Sequence, residues 1–364
     1  MDELFRVEGL NFSRGGKKIL KDLSFSVMKG EVFAILGPSG AGKTTLLRIM
    51  NCLERPGAGS IFYRGTDLLS ANGKKLLDLR RNMALVFQEG NVFDTSVFDN
   101  VAYGLRLRGV DEKEIGERVE EALRIVGLGG YEERYARSLS GGEKQRLTFA
   151  MATVINPEVL LFDEPTANLD PINEAMIDDI IARINSLGIT IVLATHKQGE
   201  ALTLADRVGV MNDGRFEQIG TPEEVFYRPA TSFVARFVGV ENILLGDLVR
   251  VGDDCSVVLS EGLELKVPDP GLEAGEKVMV FIRPEEIMIL REDRKVTRRY
   301  PNVVAGRISE MSPQGKALVR LVLETQVKSL VVDLPRHAVN VMGLEVGKQV
   351  RASLKPESCH VVSA

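Results

Sequence analysis

The chain has 364 residues, 44% of them hydrophobic and 27% charged, with a formal net charge of −5. That length suits about two domains at roughly 100–200 residues each, and the composition allows a sizeable buried core. The acidic balance excludes a nucleic-acid binder that relies on a basic surface. No apolar run approaches the roughly 18 residues that a membrane span needs. The opening MDELFRVEGL carries acids where a secretory signal carries basic residues, so contact with a membrane is expected only through a partner. Cys52, Cys255 and Cys359 are widely spaced, a pattern of neither a disulfide framework nor a zinc site. They are expected to be buried or idle thiols in a reducing cytosol.

EVFAIL (31–36) reads as a short buried parallel strand. GPSGAGKTT follows it: Gly37, Pro38, Ser39, Gly40, Ala41, Gly42, Lys43, Thr44 and Thr45. TTLLRIMNCL then has helical spacing at Leu46, Leu47 and Met50. Strand, glycine-rich loop and helix form the phosphate-binding context: backbone N–H groups and the helix N-terminus converge on anionic oxygens. Lys43 would reach the β- and γ-phosphates of a nucleotide and the Thr44 hydroxyl would ligate Mg²⁺.

MALVFQ (83–88) is another apolar strand ending at Gln88, placed to sense Mg²⁺ and an attacking water. DEKEIGERVEEALRIVGL reads as a helix with Asp111 as N-cap and Glu114 three residues on; Ile115, Val119, Ala122 and Val126 share one face. LSGGEKQR (139–146) is a second glycine loop opening a helix, with Ser140, Gly141 and Gly142 at its start. VLLFDEPTANLD (159–170) runs from four apolar residues into Asp163 and Glu164. That strand is expected beside the end of the first, with Asp163 on the hydrated metal and Glu164 as the base that orients water. TIVLATH (190–196) ends in His196. Taken singly, the acid pair also reads as a cap and the histidine as a structural residue.

ADRVGVMNDGRFEQIG (205–220) reads as a β-hairpin about Asn212-Asp213-Gly214, and Thr221-Pro222-Glu223-Glu224 as a helix start. Residues 240–364 are rich in valine and glycine and read as an all-β domain with an internal repeat. ENILLGDL (241–248) recurs as PNVVAGRI (301–308), and EAGEKVMVFIRPEEIMIL (273–290) as EVGKQVRASLKPESCHVV (345–362). Asn242/Asn302, Gly246/Gly306, Gly275/Gly347 and Pro284/Pro356 match, implying two similar barrels or two halves of one.

GPSGAGKTT, Gln88, LSGGEKQR, LLFDE, NLD and His196 stand in the order of the ATPase subunit of an ATP-binding-cassette (ABC) transporter, which residues 1–237 resemble. The resemblance implies an α/β fold: a P-loop NTPase core, RecA-like, carrying a helical subdomain at about 89–157. It also implies that Ser140, Gly141 and Gly142 cover ATP held by a second copy, so that two chains sandwich two nucleotides with Asn168 and Asp170 along the seam. One position departs from the family. Arg14, in NFSRGGKK, stands where an aromatic ring usually stacks on adenine, with Phe12 two residues earlier; either a guanidinium stack on adenine or a solvated arginine with adenine weakly held is expected. Residues 240–364 resemble the OB-like TOBE tail of importer ATPases. FDTSVFDNVAYGLRLRG, PTANLDPIN and FVGVENILLG are most similar to tungstate- and molybdate-type oxyanion importers.

The resemblance therefore implies an ATP- and Mg²⁺-dependent motor on the cytoplasmic face of the membrane. Its partners would be integral membrane permease subunits, reached through EGNVFDTSVFDN, and indirectly an extracytoplasmic substrate-binding protein. An oxyanion on the tail is a further expected ligand. Sulfate, ferric iron, polyamine and sugar remain compatible cargoes, and a soluble ABC-type ATPase is the non-transport alternative.

Overall fold

The computed structural model describes residues 2–88, 90–252, 255–291, 301–326 and 328–364. It divides into two units, Met1–Glu223 and Glu224–Ala364.

The first unit is α/β. Its elements in order are β1 (Glu3–Arg14), β2 (Lys17–Met28), β3 (Val32–Leu36), α1 (Lys43–Met50), β4 (Ala58–Tyr63), β5 (Thr66–Asp67), α2 (Gly73–Arg80) and β6 (Met83–Val86). There follow α3 (Val97–Arg106), α4 (Glu112–Ile125), α5 (Gly141–Thr153), β7 (Val159–Asp163), α6 (Pro171–Ser186), β8 (Thr190–Thr195), α7 (Gln198–Leu204), β9 (Arg207–Asn212) and β10 (Arg215–Gly220). A six-stranded sheet has the order β10-β9-β3-β8-β7-β6, and β6, β7, β8, β3 and β9 run parallel. Every residue of β3, β7 and β8 is buried, as expected of parallel strands covered on both faces.

The order corrects one expectation. β8, not β7, is the neighbour of β3, and β7 is separated from it by the strand that ends at His196. A run of buried apolar residues specifies a central strand without naming its neighbours. The β9–β10 hairpin turns at Asp213 and Gly214, both at positive φ, the geometry of a two-residue turn between twisted strands.

Helices α3, α4 and α5 lie between β6 and β7 in sequence and pack on one another; Glu89, where this insertion was expected to begin, lies outside the described residues. Ile115, Val119 and Ala122 are buried along α4, with Val126 just past its end. Asp111 caps α4 by accepting from the Lys113 N–H at 2.9 Å. Glu114 pairs with Arg118 at 3.1 Å, the ordinary i,i+4 partner on a helix.

The second unit contains α8 (Pro222–Tyr227, whose first residues belong to the first unit), α9 (Ser232–Phe237), β11 (Asn242–Arg250), β12 (Ser256–Ser260), β13 (Leu263–Val267), β14 (Lys277–Ile282), β15 (Met288–Leu290), β16 (Asn302–Gln314), β17 (Leu318–Thr325), β18 (Leu330–Pro335), α10 (Arg336–Val341), β19 (Gln349–Leu354) and β20 (His360–Ser363). The boundary thus falls earlier than the 237–240 suggested by composition. The reason is local bonding: Arg283 donates to the Val238 carbonyl at 3.3 Å and to the Phe226 carbonyl, and a His360 ring nitrogen lies 3.1 Å from the Pro229 carbonyl.

The repeat is visible as two five-stranded antiparallel sheets, β13-β12-β11-β14-β20 and β15-β19-β16-β17-β18. Each copy contributes four strands to its own sheet and gives its last strand to the other. The two halves share one core, from Leu244 and Val258 to Leu321 and Ala352, so they are halves of one body. The matched asparagines explain themselves. Asn242 accepts from the Val331 N–H at 2.7 Å and donates to the Val331 carbonyl at 2.9 Å; Asn302 accepts from the Lys266 N–H and donates to the Lys266 carbonyl, both at 2.8 Å. Each latches the opposite sheet. Gly246 and Gly306 match because a Cβ there would meet the Leu259 carbonyl at 2.6 Å or the Glu324 carbonyl at 2.9 Å.

Candidate active site

The glycine loop connects β3 to α1 and wraps the Lys43 ammonium. Lys43 is buried, donating to the Gly37 carbonyl at 2.8 Å and the Pro38 carbonyl at 3.2 Å. Two glycines are sterically required. A Cβ on Gly37 would stand 2.3 Å from the Met211 carbonyl. Gly42 has φ 109°, and its Cβ would approach Leu20 to 2.8 Å. Ala41 is buried, whereas Ser39 and Gly40 are exposed, which leaves the loop tip open to a ligand.

Parallel strands bring the carboxylates to the same edge. The Thr44 hydroxyl donates to Asp163 Oδ1 at 3.0 Å. Burial pushes the Asp163 carboxyl above its ordinary range, against the bond from Thr44 and the charge of Lys43. A desolvated carboxylate beside a hydroxyl is a hard-oxygen pair that a divalent cation would stabilise, so the residues present fit Mg²⁺. Such an ion would neutralise charge on phosphate oxygens.

Glu164 is held from two sides. Its Oε1 lies 3.3 Å from Lys43 Nζ and its Oε2 lies 2.9 Å from His196 Nδ1. Its backbone is left-handed, φ 49°, and its N–H donates to the Ala194 carbonyl at 2.8 Å. A non-glycine residue in that region is uncommon and clusters at functional sites. Gln88 is exposed just past the C-terminal end of β6, on the same edge as Asp163 because β6 and β7 are parallel.

Ser140, Gly141 and Gly142 open α5, which packs on α3, α4, α6 and β6, whereas α1 packs on β7 and β8. Ser140 accepts from the Glu143 N–H and Glu143 accepts from the Ser140 N–H, a reciprocal capping box. The Gly141 and Gly142 N–H groups have no acceptor among the described residues. Gly142 packs tightly on Asn173, 2.5 Å from where its Cβ would lie. Asp170 caps α6 through the Ile172 and Asn173 N–H groups at 3.0 and 3.1 Å; Asn168 adopts φ 61°. Arg14 pairs with Glu54 and its guanidinium carbon lies 5.7 Å from the Phe12 ring centroid.

Two residues that no motif flags also belong here. Lys197 donates to the Thr166 carbonyl at 2.9 Å and Glu200 accepts from the Thr166 hydroxyl at 3.2 Å. The only local signal is their place immediately after His196.

Known proteins match both units of the chain. The ABC transporter family model matches residues 20–167 and the TOBE domain model residues 300–361. The molybdate/tungstate import ATP-binding protein WtpC of Pyrococcus horikoshii is 38% identical over 94% of this chain and 95% of its own length. The spermidine/putrescine import ATP-binding protein PotA of Marinobacter nauticus is 41% identical over 86% of this chain and 83% of its own. Among solved structures, cbiO1 from Clostridium perfringens, part of the ABC transporter complex cbiONQ, superposes with a TM-score of 0.59 at 35% identity, covering 66% of this chain and 95% of that one. A dimeric ATP-binding cassette in a post-hydrolysis state with ADP and Pi gives 0.56 at 27% identity, over 60% and 99%.

Proposed function

Because the chain belongs to the ATP-binding subunits of import-type ABC transporters, ATPases with a TOBE domain, we propose that it acts as a homodimeric motor. It would sit on the cytoplasmic face of a membrane beneath integral permease subunits, fed by an extracytoplasmic substrate-binding protein. No helix among the described residues is long and apolar enough to cross a membrane.

The observation that carries the dimer is the start of α5, where Ser140 and Gly141 are exposed. Two glycine N–H groups without acceptors and a serine at a helix N-terminus suit an anion. They stand on the helical insertion, apart from the loop that holds Lys43. A second chain's triphosphate supplies that anion. In such a chamber Lys43 neutralises the β- and γ-phosphates, Thr44 and Asp163 would hold Mg²⁺, and Glu164 takes a proton from water as His196 holds its other oxygen. Gln88 orients the same water. Positioning and electrostatics do most of the work in phosphoryl transfer.

Complementation tests the arrangement. Lys43→Ala and Ser140→Arg chains should each be inactive alone, yet recover turnover when mixed, since one composite site is then intact. No recovery in mixtures, with wild type active as a monomer, would overturn it.

The permease contact is supported by an apolar surface after β6. Phe93 and Tyr103 are exposed with ring centroids 4.8 Å apart, and Leu107 is 69% exposed. Asn100 fixes the preceding loop by accepting from the Phe93 N–H and donating to the Ser96 carbonyl.

For cargo we infer a tungstate- or molybdate-type oxyanion. The second unit has a groove of about 530 Å³ whose lining, among the described residues, includes Arg291, Lys348 and Arg351 and no carboxylate, which favours an anion over a polyamine. Calorimetry of the full chain with tungstate, molybdate, sulfate and spermidine tests this. Heat with the first two is expected; heat with spermidine alone, or with none of the four, would remove the oxyanion reading of the tail.

A further inference from the structure

Behind the hydrolysis site, a buried polar cluster joins the segment after Glu164 to the turn that carries His196. Thr166 Oγ1 donates to Glu200 Oε1 at 3.2 Å. Lys197 Nζ donates to the Thr166 carbonyl at 2.9 Å and pairs with Glu174. The Lys197 N–H donates to the Thr195 hydroxyl at 3.0 Å. Glu200 is only 5% exposed, and with Thr166, Glu174, Asp178, Lys197 and Thr203 it lines a cavity of about 330 Å³. Glu200 Oε2 and Asp178 Oδ1 make no hydrogen bond among the described residues.

A buried carboxyl with an oxygen left over costs stability that an apolar side chain would not. Nothing in the phosphate chemistry reaches it. It accepts from Thr166, two residues beyond Glu164, and its helix begins two residues beyond His196.

We propose that Glu200 is a positioning residue for ATP hydrolysis, holding the Thr166 segment to the His196 turn so that Glu164 and His196 keep their contact. The charged carboxylate is the form that does this best. It accepts from the Thr166 hydroxyl, whereas a protonated carboxyl can turn that oxygen into a donor. Burial, the largest influence, pushes the Glu200 carboxyl up to about 7; Asp178 adds to the rise, while the hydroxyls of Thr195 and Thr166 and the charge of Lys197 oppose it. The other charged groups facing the cluster are Glu174 and Asp178 from α6, with Asp179 adjoining. The tether therefore strengthens as pH rises through 7.

The test is steady-state ATP turnover by the full chain between pH 6 and 8.5. Glu200→Gln keeps the shape and mimics the protonated form. Its kcat should fall about tenfold below wild type at pH 8.5 and approach wild type near pH 6, with KM for ATP within about twofold. Thr166→Val removes the hydroxyl end of the tether, so its kcat at pH 8.5 should fall about as far as that of Glu200→Gln, with the pH dependence flattened. The proposal rests on hydrolysis at Glu164, which wild-type turnover reports by itself; the variant-to-wild-type ratio reports Glu200. A Glu200→Gln ratio of one throughout, a reduced ratio that does not change with pH, a change confined to KM, or wild-type kcat at pH 8.5 in Thr166→Val would each overturn it.

Discussion

Glu164 touches His196 and Lys43 at once, Oε2 lying 2.9 Å from the imidazole Nδ1 and Oε1 lying 3.3 Å from the ammonium. One carboxylate thus links the end of β8 to the phosphate loop. Glu164→Gln keeps the shape and loses the base. Turnover should fall by roughly 10²–10⁴, the range of general-base catalysis, with ATP still bound. Phosphate release assays beside nucleotide binding check this, and near-wild-type turnover would take the role from Glu164.

Gly37→Ala should cripple nucleotide binding. The added methyl would sit 2.3 Å from the Met211 carbonyl, a backbone atom that cannot swing aside. The loop or β9 must shift, at a cost of roughly 1–3 kcal/mol for overpacking. Chemical denaturation and ATP titration read the two effects separately.

Asn242→Ala and Asn302→Ala should each destabilise the second unit. Either change strands a partly buried backbone N–H and carbonyl on the opposite sheet, at a cost of up to about 1–3 kcal/mol per unsatisfied group. Similar losses from the two variants are expected because the latches are reciprocal. Equilibrium unfolding followed by a probe in that unit would reveal a loss confined to one of them.

Asp178→Asn should stabilise the protein at pH 8 and leave it unchanged near pH 4. Burial and the charge of Glu174 push the Asp178 carboxyl up to about 6. A carboxyl raised in the folded state binds more protons folded than unfolded, so stability is lost as pH rises from its ordinary value through 6. Removing the charge should recover about 1–2 kcal/mol above that window, discounted for partial exposure. Denaturation midpoints at the two pH values supply the check.

Arg14→Ala should weaken ATP binding about 2- to 30-fold, for a cation–π style stack worth ~0.5–2 kcal/mol. Glu54 pairs with the guanidinium, whose carbon lies 5.7 Å from the Phe12 ring centroid. Unchanged affinity would retire the stack.

The phosphate loop, the acid pair, the Asp213-Gly214 hairpin and the tail repeat were legible in the sequence because each is written in adjacent residues. Backbone conformation, turn chemistry and helix capping act over a few positions, so Gly42 or Asp163 declares itself without neighbours from afar. Long-range pairing alone decided the rest: β8 between β3 and β7, the exchange of β15 and β20 between sheets, and the joining of Glu200 to Thr166 across 34 positions. A strand buried on both faces carries no label for its partners, since any apolar neighbour buries it equally well. A buried carboxyl likewise looks like any surface acid until the chain closes over it.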